Sequence, residues 1–118
     1  MDWKKKFLQE IQLGSDARAR GNEGQARVCA RRAAGEVVRE YFRRRGSRAE
    51  IGITMSVHTS SVYDLLKILL EIPDLPEAAR REAEYLTLRV TEAFVLPVEV
   101  DLLRSAAALA KSLLPDAE

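Results

Sequence analysis

The clearest rhythm of apolar and polar positions runs from Asn22 to Gly46, where Ala26, Ala30, Ala33, Ala34, Val37 and Tyr41 recur at three- and four-residue steps. That spacing gathers them on one stripe of a long helix, with Val38 and Phe42 on its flank. Arg32, Arg39 and Arg43 fall on the opposite side, with Glu36 and Glu40 beside them. Asn22 suits an N-cap, Gln25 stands where a capping box needs its partner, and the arginines before Gly46 read as a helix C-terminus. The alanines predict a close helix neighbour at one end, while Val37, Tyr41 and Phe42 fill a wider gap at the other. Gly35 costs roughly 1 kcal/mol relative to alanine inside a helix, so it marks a close crossing.

The same reading extends along the chain. Trp3, Phe7, Leu8 and Ile11 predict a first helix from residue 2 to about residue 20, with Gly14 and Ser15 weakening its second half. Gly21 supplies a tight turn, and so short a connection makes the two helices antiparallel. From Ile51 to Val57 apolar residues alternate with Gly52, Thr54 and Ser56, a strand-like pattern. A lone strand has no ladder partner, so this stretch is either an extended loop tucked onto the bundle or a strand paired with its copy in a dimer. Ser61 and Asp64 open a third helix with Val62, Leu65, Leu66, Leu69 and Leu70 inward, and Pro73 ends it. Asp74-Leu-Pro-Glu77, a capping-box pair with an early proline, restarts a helix whose stripe is Ala79, Ala83, Leu86, Val90 and Ala93, closed or followed by the next helix at Pro97. The last helix, Glu99 to Leu114, buries Leu102, Leu103, Ala106, Ala110, Leu113 and Leu114. The pattern therefore predicts an all-α fold, an up-and-down antiparallel bundle of four to five helices, with residues 1–118 forming one domain.

Composition adds two constraints. The 118 residues suffice for one core without disulfides or metal. A single cysteine, Cys29, excludes an intrachain disulfide, and the opening Trp3-Lys-Lys-Lys6 lacks the apolar run of a signal peptide, so the expected location is cytoplasmic. No stretch is apolar for long enough to span a membrane. The net charge of +1 hides an asymmetry: residues 18–48 carry ten arginines against three acids, and residues 49–118 carry six basic residues against twelve acidic ones. A basic half and an acidic half suit a polar assembly or an anionic ligand, unless most charges pair locally, as Glu36 with Arg39 and Glu40 with Arg44 are spaced to do.

Chemistry is sparse. One His and one Cys rule out the usual zinc and iron ligand sets, no Glu-x-x-His pair is present, and no glycine-rich phosphate loop follows a strand. No metal, cofactor or catalytic residue is therefore assigned. His58, close in sequence to Thr59, Ser60, Ser61 and Asp64, is the one candidate general base, with a place in the cap of the third helix as the competing role. The candidate binding residues are Arg27, Arg31, Arg32, Arg39, Arg43 and His58, because guanidinium forks suit phosphates.

The order of features resembles HEPN domains. The segment from Ala17 to Gly35, ARARGNEGQARVCARRAAG, looks like their opening helix pair. His58 with Tyr63-Asp-Leu-Leu66 is similar to the start of their third helix, and Tyr85 to Pro97 followed by an alanine-rich helix is similar to their C-terminal half. The resemblance implies a dimeric helical bundle associated with nucleotides, RNA or a partner nucleotidyltransferase. Ribonuclease members use an Arg followed four to six residues later by His. Here the nearest arginine before His58 is Arg48, and Val95-Leu-Pro97 stands where a tyrosine-proline pair is usual. The expected function is thus a non-catalytic interaction module that associates with itself or a partner protein and offers its basic helix to RNA or a nucleotide. The alternative is a ribonuclease or nucleotide-handling enzyme centred on His58.

Overall fold

The computed structural model describes residues 2–45, 61–88 and 101–115. These form α1 (Asp2–Ala19), α2 (Glu23–Arg45), α3 (Val62–Leu70), α4 (Glu77–Leu86) and α5 (Leu102–Leu113), an all-α bundle. The strand-like stretch and His58 lie outside the described residues.

The bundle is built on α2, which packs against all four other helices, while α1 with α5, α3 with α4 and α4 with α5 close the remaining faces. Of the predicted stripe, Ala26, Ala30, Ala33, Ala34 and Val37 are fully enclosed while Tyr41 is half-buried, and the flanking Val38 and Phe42 are in the core instead. Leu65, Leu66 and Leu69 of α3, Ala79, Ala83 and Leu86 of α4, and Leu102, Ala106 and Leu109 of α5 complete one core. Leu109 was not in the stripe read for the last helix.

Local signals set the helix ends. Gly21, at φ 79°, takes the left-handed position after α1. Its N–H donates to the Arg18 carbonyl at 2.9 Å and the Asn22 N–H to the Ala17 carbonyl at 2.8 Å, the paired bonds of a Schellman motif. Asn22 then caps α2, its Oδ1 accepting from the Gln25 N–H at 3.1 Å. The reciprocal half of the expected capping box is not formed, because the Gln25 side chain turns to the Cys29 sulfur. Ser61 caps α3 by accepting from the Asp64 N–H, as its position predicts.

Three expectations are corrected. Gly14 has a packing role that its reading as a weak point of α1 left out. A Cβ there would come within 2.6 Å of Leu103 Cδ2 and 3.2 Å of the Cys29 Cβ, so the glycine lets α2 and α5 close on the helix. Gly35 does the same for α3, meeting Val62 at 2.9 Å, which is the crossing its position implied. Asp74 does not cap α4, whose N-cap is Pro76 with no side-chain hydrogen bond. Finally, α4 stops at Leu86: Thr87 is its C-cap, and the Thr87 hydroxyl donates to the Glu84 carbonyl at 2.7 Å, while Val90, Ala93 and Pro97 of the predicted stripe lie outside the described residues.

Candidate functional site

The arginines of α2 fall into distinct environments. Arg31, half-buried, donates from Nε to the Leu86 carbonyl at 3.1 Å and from a terminal nitrogen to the Leu88 carbonyl at 2.5 Å. Its guanidinium also lies 5.2 Å from the centre of the Tyr63 ring. A helix end leaves carbonyls without intrahelical donors and carries partial negative charge, so Arg31 adds beside the Thr87 cap the cation that the last turn of α4 lacks. Arg80 does the equivalent for α3, donating to the Leu70 carbonyl at 2.8 Å and the Ile72 carbonyl at 3.0 Å. Sequence reasoning missed both roles, although α4 has no basic residue in its last turn.

Arg39 faces Glu36 at 3.7 Å. Arg43 and Arg44 both grip Glu40, with Nε distances of 2.9 Å from each. Glu40 is only 6% exposed, a carboxylate near the end of a helix whose charge is matched by two guanidinium groups. The hydrogen bond from Arg43, aided by Arg44 and opposed by burial, holds its carboxyl down at about 2. Arg18 joins three elements: it forks onto Glu23 at 2.8 and 2.9 Å and reaches the α5 N-cap, Asp101, at 3.1 Å. Asp101 in turn accepts from the Leu103 and Arg104 N–H groups.

Of the candidate binding residues, then, Arg31, Arg39 and Arg43 serve helix ends and ion pairs. Arg32 is exposed, Arg27 is half-buried with its Nε lacking a hydrogen-bond partner, and His58 lies outside the described residues. Among the described residues Arg31, Arg39 and Arg43 take three separate partners. Cys29 is 1% exposed, and burial together with the nearby Glu10 charge raises its thiol, which keeps it protonated at neutral pH. Among the described residues no group of three or more His, Cys, Asp or Glu side chains is placed to hold a metal ion, and no helix is long and apolar enough to cross a membrane.

A different surface stands out, between α1 and α5. Trp3, Phe7 and Leu8 form one wall and Ala107, Ala110 and Leu114 the other, enclosing about 200 Å³. The alanines of α5 create it, because small side chains recede where the opposing helix carries large ones. Leu8 is 53% exposed on the rim. Lys4 and Lys111 are the two charged residues in the lining. Leu8 was read in the sequence as a core position of the first helix, and the groove itself was not foreseen.

Comparison with protein families, with curated proteins and with solved structures finds no match for this chain.

Proposed function

We propose that this chain is a non-catalytic helical interaction module, working by helix–helix association with another protein. The observation that carries this reading is the apolar groove between α1 and α5, where the exposed Leu8 stands on the rim beside the buried Trp3 and Phe7. The arrangement of the arginines supports it: those of α2 that cap α4 or neutralise Glu40 have their donors turned toward the protein, which reduces what the helix offers to phosphates. The resemblance to HEPN domains agrees with an interaction role, and the missing Arg–His spacing weighs against RNA cleavage.

The test is fluorescence anisotropy of a short labelled RNA at low and near-physiological salt, with the RNA checked for cleavage. The expected result is intact RNA, with no tight binding at physiological salt and no change on His58→Ala. Binding that loses about 10³-fold or more between 50 and 200 mM salt signals several arginine–phosphate contacts. That result, or cleavage lost in His58→Ala, would overturn the proposal.

A further inference from the structure

We draw no further inference here: the strongest candidate, the apolar groove between α1 and α5 with Leu8 exposed on its rim, has Trp3 and Phe7 buried in the core, and nothing in the structure shows what covers it.

Discussion

Glu40 shows how a single residue ties charge to stability. Its carboxyl sits at about 2 against an ordinary value of 4.5, because Arg43 and Arg44 favour the ionised form more than burial penalises it. A depressed folded-state value means the stabilisation is fully present above about pH 4.5 and is lost as pH falls toward 2. The full shift corresponds to about 3 kcal/mol. With Arg43 59% exposed, water screens the pair, and about 1–2 kcal/mol is the better expectation. Glu40→Gln is therefore expected to lower unfolding stability by that amount at pH 7. The gap from the native chain narrows as pH falls from 4.5 to 2, measured by urea denaturation across that range. A pH-independent gap would assign the loss to packing. The pairing of Glu40 with Arg44 was legible from i,i+4 spacing alone. Its burial was not, because a wheel placed Glu40 on the polar side.

At the scale of elements, the helices were legible wherever a stripe and a cap agreed. Asn22, Ser61 and the Ala26–Val37 stripe are examples, since each depends on neighbours within a turn or two. Periodicity failed where a distant residue decides the outcome. The sequence carries no mark of where α4 ends, yet the helix stops at Leu86, where Arg31 from α2 takes the Leu86 carbonyl and the Leu88 carbonyl just beyond it. The groove was hidden for a related reason: Leu8 reads on one face with Trp3 and Phe7, and only the placing of α5 buries those two while leaving Leu8 exposed. Glycines separate the two kinds of constraint. Gly24 lies in the first turn of α2 with only Asn22 Oδ1 near a new Cβ, at 3.9 Å, so Gly24→Ala should raise stability by about 0.5–1 kcal/mol. Gly14→Val should lower it by about 2–3 kcal/mol, since even a Cβ collides with Leu103. Thermal melts of the two variants check both signs, and loss in Gly24→Ala or gain in Gly14→Val would contradict the packing described.

Across the whole molecule, the basic helix reads as the frame of the bundle more than as a surface for ligands. Arg18 ties the first turn of α2 and the N-cap of α5 to the end of α1, Arg31 closes α4, and Arg43 with Arg44 neutralises Glu40. A sequence count of ten arginines between residues 18 and 48 shows the excess charge but not which donors point inward.

The most direct measurement is the melting temperature of Arg31→Ala beside that of Arg32→Ala. Removing Arg31 takes the donor from the Leu86 carbonyl and from the Leu88 carbonyl just past α4, a loss of about 1.5–3 kcal/mol, or roughly 5–15 °C in a domain of this size. Arg32 is exposed, and its removal is expected to shift stability by less than about 0.5 kcal/mol. A large drop for Arg31→Ala with none for Arg32→Ala supports an arginine helix committed to the fold. Equal melting temperatures for both variants would contradict it and return these arginines to the surface as candidates for an anionic ligand.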